Sequence, residues 1–80
     1  MADQEDKASK VAHLEYLKAE GEKAYDRMYD SRYPTGEYAD TKDWFRAAIQ
    51  YAEENGMTEE VETLEKRLEH VKAVFRSQFT

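Results

Sequence analysis

Apolar residues recur at steps of three or four along most of this 80-residue chain, which is the spacing of one face of an α-helix. The pattern is interrupted at two places, first by Pro34 and Gly36 and then by Asn55-Gly56. Proline and glycine at such points are typical of helix ends and turns. The sequence therefore predicts an all-α fold in which three helices pack as a bundle.

The three helices are predicted over about residues 8–30, 41–54 and 58–77. The apolar stripe of the first helix contains Val11, Leu14, Leu17, Gly21, Ala24, Tyr25 and Met28. The apolar face of the third contains Val61, Leu64, Leu68, Val71, Phe75 and Phe79. Gly21 lies on its stripe although glycine costs about 1 kcal/mol of helix propensity relative to alanine. We therefore expect an aromatic ring of another helix to lie over Gly21.

The ends of the helices follow from a few residues. Pro34 disfavours helical geometry at the residue before it, so it ends the first helix. The segment that follows is predicted to be an ordered aromatic loop between helices 1 and 2. Asp40 is the expected N-cap of the second helix, and Thr58 is that of the third. Asn55-Gly56 is a short turn, so the second and third helices are expected to be antiparallel neighbours.

The length of the chain allows one thin core, because a chain this short buries only about 60% of the surface that it exposes when unfolded. We expect residues 1–7 to be frayed and residues 8–80 to form a single helical domain. Without cysteine, the core cannot be supplemented by disulfides or thiolate metal sites. Large aromatic side chains are the expected compensation, and Trp44 is expected to be largely buried.

The charge of the chain disfavours several classes of partner. A formal net charge of −6 repels a phosphate backbone, so nucleic-acid binding is not expected. No stretch of about 18 apolar residues occurs, and the chain begins with acidic residues rather than with a basic and then apolar signal. We expect a cytoplasmic protein that does not insert into a membrane.

No catalytic, metal-binding or cofactor-binding pattern is found. His13 and His70 have no partners at ligand spacing, and the three glycines are isolated, so neither a metal site nor a phosphate loop is expected. Asp26 and Asp30 lie one helical turn apart, but acidic pairs at this spacing are common on solvated helix faces. The sequence therefore predicts a protein that is not an enzyme and holds no cofactor.

Seven of the ten aromatic residues lie between Tyr25 and Tyr51. One interpretation makes them the main contacts of the core. The other leaves several of them exposed as an anchoring patch, since tyrosine and methionine are enriched at protein interfaces. The candidate partner-binding residues are Tyr29, Tyr33, Tyr38 and Met28.

Trp44, Ala47, Ala48 and Tyr51 fall at the spacing that the first helix of a tetratricopeptide repeat has for its Trp, Leu, Gly and Tyr. The segment of about residues 41–70 resembles such a helical hairpin. The resemblance implies a hairpin of the kind used in interaction modules. It transfers no peptide-binding residues to this chain.

These observations predict a small, non-catalytic protein–protein interaction or regulatory module. Its expected partner is an unidentified protein or, in a weak homodimer, a second copy of the chain. The contact is expected at the aromatic region, because a thin bundle cannot hide ten aromatic rings. The alternative is a small-molecule or metal-binding helical protein. An enzyme with an unrecognised site and a nucleic-acid binder are less favoured.

Overall fold

The structure, a computed structural model, describes residues 2–79, with the side chains of residues 7–79. It contains the helices α1 (Ala2–Asp30), α2 (Pro34–Glu54) and α3 (Thr58–Gln78), and no strand occurs in the described residues. α2 packs against both other helices and runs antiparallel to each, because each connection is only three residues long. The predicted all-α three-helix bundle is confirmed.

α1 begins earlier than predicted. Its helical backbone includes residues 2–7, which were expected to precede the helix. No glycine or proline occurs before Gly21, so the sequence contains no residue that would stop the helix at residue 8. The fraying of residues 1–7 stays a prediction, and Met1 lies outside the described residues.

The predicted aromatic loop between helices 1 and 2 is wrong, because α2 begins at Pro34 rather than at residue 41. Only residues 31–33 connect α1 to α2. At the first position of a helix, proline has a suitable φ and needs no N–H partner, so Pro34 both ends α1 and starts α2. Asp40 consequently lies inside α2 and is not its N-cap. Tyr33 occupies that position and makes no side-chain capping bond.

The turn between α2 and α3 contains the predicted left-handed glycine. Gly56 has a φ of 68°, which glycine adopts without strain. The N–H of Met57 donates to the carbonyl of Ala52 at 2.9 Å, and the N–H of Gly56 donates to that of Glu53 at 3.2 Å. These two bonds form a Schellman motif, which satisfies carbonyls at the end of α2. Met57, rather than the predicted Thr58, is the N-cap of α3.

The core is centred on Phe45 of α2, whose side chain is 1% exposed. Its ring lies against α1 at Gly21, where a Cβ atom would come within 3.1 Å of the ring carbons. The prediction of an aromatic ring over Gly21 is therefore confirmed. The other buried members of this cluster come from all three helices and are Leu14, Leu17, Ala48, Ala52, Leu64, Leu68 and Val71.

Trp44 and Val11 are less buried than predicted. Trp44 is partly buried at the edge of the core, where its ring meets Tyr16 edge to face at a centroid distance of 6.1 Å. Successive residues of a helix point about 100° apart, so only one of Trp44 and Phe45 can face the centre. Val11, at the start of the predicted stripe, is 45% exposed.

Charged side chains join α1 to α3. Lys18 Nζ lies 3.2 Å from a carboxylate oxygen of Glu60. Arg67 donates to both carboxylate oxygens of Glu22, at 2.8 and 2.6 Å. All four side chains are partly exposed, so each pair stabilises the fold only modestly. Together the pairs hold α3 alongside α1 in a parallel direction.

Gly21→Leu should destabilise the protein by about 1–3 kcal/mol despite the better helix propensity of leucine, because the buried Phe45 ring occupies the space. Gly36→Leu is the matched control, since nothing lies within 4 Å of a Cβ atom at Gly36. It should leave the free energy of unfolding unchanged or raise it. Urea unfolding followed by circular dichroism measures both variants. Equal stability of the two would contradict the contact between Phe45 and Gly21.

Phe45→Ala should lower the free energy of unfolding by about 3–5 kcal/mol. This is close to the whole stability of a domain of this size. Trp44→Ala should cost less, because the Trp44 ring is only partly buried. Thermal unfolding of the two variants under the same conditions gives the comparison. A larger loss for Trp44→Ala would mean that Trp44 is the principal core residue.

Candidate interaction surface

Five aromatic rings form a continuous series at the end of the bundle where α1 ends and α2 begins. Along the series, the centroid distances are 5.3 Å, 5.4 Å, 5.7 Å and 3.9 Å. The rings are, in order, those of Tyr25, Tyr29, Phe79, Phe75 and Tyr38. We call these five residues the aromatic cluster. Because α1, α2 and α3 all contribute rings to it, the cluster packs the three helices against one another at this end.

Tyr38 is held on both faces of its ring. On one face it stacks on Phe75 with an interplanar angle of 3°. On the other, Lys42 Nζ lies 4.3 Å from the ring centroid, a distance at which a cation is attracted to the ring. Tyr38 is partly buried as a result. Although Tyr38 is one of the predicted partner-binding residues, its side chain therefore serves mainly in packing.

Tyr29 and Tyr33 are the exposed members of the predicted set, and we call them the tyrosine patch. Tyr29 is 46% exposed although it belongs to the aromatic cluster, and Tyr33, in the short connection after α1, is 81% exposed. Met28 is fully buried, so its expected exposure was wrong. It continues the buried stripe of α1 four residues after Ala24, which places its side chain inside the bundle.

Arg67 connects the aromatic cluster to the ion pair with Glu22. Its guanidinium lies 4.8 Å from the centroid of the Tyr25 ring, and the hydrogen bonds to Glu22 raise its pKa. The hydroxyl oxygen of Tyr25 also lies 3.2 Å from the hydroxyl oxygen of Tyr29. Burial, supported by this hydrogen bond, raises the pKa of Tyr25 to about 12. The geometry therefore favours a protonated Tyr25.

Phe75 and Phe79 are functional candidates that the sequence did not indicate. Both were placed on the apolar face of the third helix, without a link to the tyrosines. In the structure Phe75 stacks on Tyr38, and Phe79 meets Tyr29 edge to face. Parallel α1 and α3 bring these residues to one end of the bundle. The predicted lengths of the first and third helices already indicated that these residues meet at one end of the bundle.

The other candidate groups lie apart from the aromatic cluster. The ring of His13 packs on that of Tyr51 at 4.5 Å, and His70 is exposed. Among the described side chains, no group of three or more histidines and carboxylates is placed to hold a metal ion. Asp26 and Asp30 are both exposed. The expectations that the protein is not an enzyme and holds no metal or cofactor stay predictions.

A cleft with a volume of about 330 Å³ lies between α1 and α3. Phe45 and Leu64 provide its apolar lining, together with Ala19. The remaining lining residues are polar or charged and are Glu15, Lys18, Glu22, Thr63 and Arg67. The volume is near the lower end of the range of about 300–1,000 Å³ that is usual for small-molecule sites.

Comparisons with known proteins add no functional information. No protein-family model matches the chain, and neither a curated protein nor a solved structure matches it significantly. The resemblance to a tetratricopeptide hairpin stays a prediction from the sequence. Within the described residues, each of the three helices is too polar to cross a lipid bilayer.

Raising the pH from about 10 to about 12 should destabilise the fold through Tyr25. An unfolded tyrosine has a pKa of about 10, whereas that of Tyr25 in the folded protein is about 12. In this window the unfolded chain loses its proton first, so stabilisation that is fully present below pH 10 is lost as the pH rises.

Thermal unfolding at a series of alkaline pH values measures this effect. Tyr25→Phe should flatten the pH dependence relative to that of the parent protein. An identical pH dependence in the parent and in Tyr25→Phe would contradict the raised pKa of Tyr25.

Proposed function

We propose that the protein is a small, non-catalytic protein–protein interaction or regulatory module that works in the cytoplasm. The observation that carries the proposal is the exposure of Tyr29 and Tyr33, at 46% and 81%, beside an ordered aromatic cluster. Tyrosine is among the residues that contribute most to protein interfaces, because its ring buries a large area and its hydroxyl stays hydrogen-bonded.

The rigidity of the surroundings supports this role for the tyrosine patch. Tyr29 is held between Tyr25 and Phe79, and Tyr33 lies in a three-residue connection between two helices. The backbone N–H of Tyr33 donates to the Ser31 hydroxyl at 3.0 Å. A partner that binds here has little backbone freedom to remove, which lowers the entropic cost of association.

The likeness of residues 41–70 to a tetratricopeptide hairpin supports the same class of function. α2 and α3 form an antiparallel hairpin that covers this segment. Hairpins of that type occur in proteins that bind other proteins. The proposal takes from this likeness only the class of function, since the tyrosine patch precedes the segment concerned.

The cleft between α1 and α3 supports the alternative, a small-molecule binding protein. Its apolar lining and its volume of about 330 Å³ suit a small ligand. Charged groups that line this cleft are already paired within the protein. The two pairs are Lys18 with Glu60 and Arg67 with Glu22. Tyr29 also packs within the protein, but Tyr33 is 81% exposed, and we therefore prefer the interaction module.

Tyr33→Ala should abolish the capture of a specific partner when the immobilised protein is exposed to an extract of its source cells. Tyr29→Ala should weaken it. Truncating a residue that dominates the binding energy of an interface costs about 2 kcal/mol or more of binding free energy. Once the partner is identified, titration calorimetry with purified proteins measures the loss.

Tyr16→Ala is the matched control, because Tyr16 is 53% exposed on α1 but lies against Trp44, away from the tyrosine patch. It should bind like the parent protein. A partner that is retained by Tyr33→Ala and Tyr29→Ala, or lost only by Tyr16→Ala, would contradict the proposed surface.

A further inference from the structure

One stripe of α1 faces α3, and its first residue has no α3 residue opposite. Val11, Lys18 and Tyr25 are spaced by seven, which places them on the same side of the helix. Lys18 pairs with Glu60 and Tyr25 lies under Arg67, in each case 42 residues later in the chain. The same offset from Val11 leads to residue 53, which precedes the start of α3. Val11 is 45% exposed for this reason.

The residues around Val11 form a small apolar surface with charges at its two ends. A shallow concavity is lined by Lys7, Ala8, Val11 and Ala12, all of which are exposed. Glu15 follows one turn later on the same side of α1. Its side chain is 58% exposed, and one of its carboxylate oxygens pairs with Lys18 of the same helix at 3.2 Å, which leaves the other oxygen for a further contact. The order along this face is therefore basic, apolar and acidic. We call these five residues the α1 face.

We propose that the α1 face binds the α1 face of a second copy of the chain, with the two helices antiparallel and Val11 at the two-fold axis. Lys7 and Glu15 are each four residues from Val11, so the antiparallel order places Lys7 of each copy opposite Glu15 of the other. A parallel order would place like charges opposite each other. The α1 face is thus complementary in charge to a second copy of itself, and only in the antiparallel direction.

The small residues of the α1 face suit a helix–helix contact. Ala8 and Ala12 flank Val11 and allow two helix backbones to approach closely, while Val11 supplies the apolar contact at the centre. A two-fold contact uses the same surface on both copies and closes on itself, so it produces a dimer and no larger assembly. The face extends over only about two helical turns, and the dimer is accordingly weak.

This dimer is independent of the proposed function, because the tyrosine patch lies at the opposite end of α1. Sedimentation equilibrium over a concentration series gives the dissociation constant of the parent protein. Val11→Glu should abolish dimerisation. Lys7→Glu and Glu15→Lys should each weaken it roughly tenfold or more, because each places like charges together twice across the axis. Circular dichroism verifies that the variants remain folded.

Mixing the Lys7→Glu and Glu15→Lys proteins is the decisive step. In a mixed dimer, both charged contacts again join opposite charges, so the mixture should form a heterodimer more tightly than either variant alone forms a homodimer. Tyr33→Ala should dimerise like the parent protein. A parent protein that stays monomeric at every attainable concentration would overturn the proposal. So would a mixture that does not associate, or a dimer that Tyr33→Ala abolishes and Val11→Glu retains.

Discussion

The contact between the Phe45 ring and the backbone of α1 at Gly21 sets how closely the first two helices pack. A side chain at position 21 would hold α1 away from α2, and Phe45 would lose its place at the centre of the bundle. Ala24, Ala48 and Ala52 are fully buried, so small residues continue this close approach. α3 then completes the core with a small number of leucine and valine side chains, packed against α2. The thin core of this short chain depends on that single close approach.

The aromatic cluster is a second packing unit, and its members Tyr25 and Tyr38 also pack against the core that contains Phe45. Its residues lie near the ends of helices, where few buried aliphatic side chains remain. Aromatic rings therefore supply packing in a protein that has few buried leucines. Part of this unit remains exposed, because only three helix ends are available to cover it. Tyr29 therefore serves in packing and in the tyrosine patch at the same time.

The features that the sequence predicted correctly depend on local chemistry. Gly21 on an apolar stripe required a close neighbour, and Gly56 after an asparagine required a left-handed turn, and both are found. The predicted loop after Pro34 is wrong because proline can end one helix or begin the next, and here it does both. The exposure of Val11 could not be predicted, since it depends on where α3 begins, whereas the position of Met28 on the apolar stripe of α1 already indicated its burial. Trp44 and Phe45 are adjacent, and only their packing decides which one is central.

The ion pairs between α1 and α3 give the three helix–helix contacts different responses to dissolved salt. α2 meets both of its neighbours mainly through buried apolar side chains, which mobile ions do not reach, although the partly exposed pair of Arg27 and Glu37 also joins α1 to α2. The partly exposed pairs of Lys18 and Arg67 are screened over a Debye length of about 8 Å at physiological ionic strength, and more strongly above it. Rising ionic strength thus weakens the contact that borders the cleft more than the other two, which depend mainly on buried apolar side chains. The width of that cleft is coupled to the ionic composition of the surrounding solution.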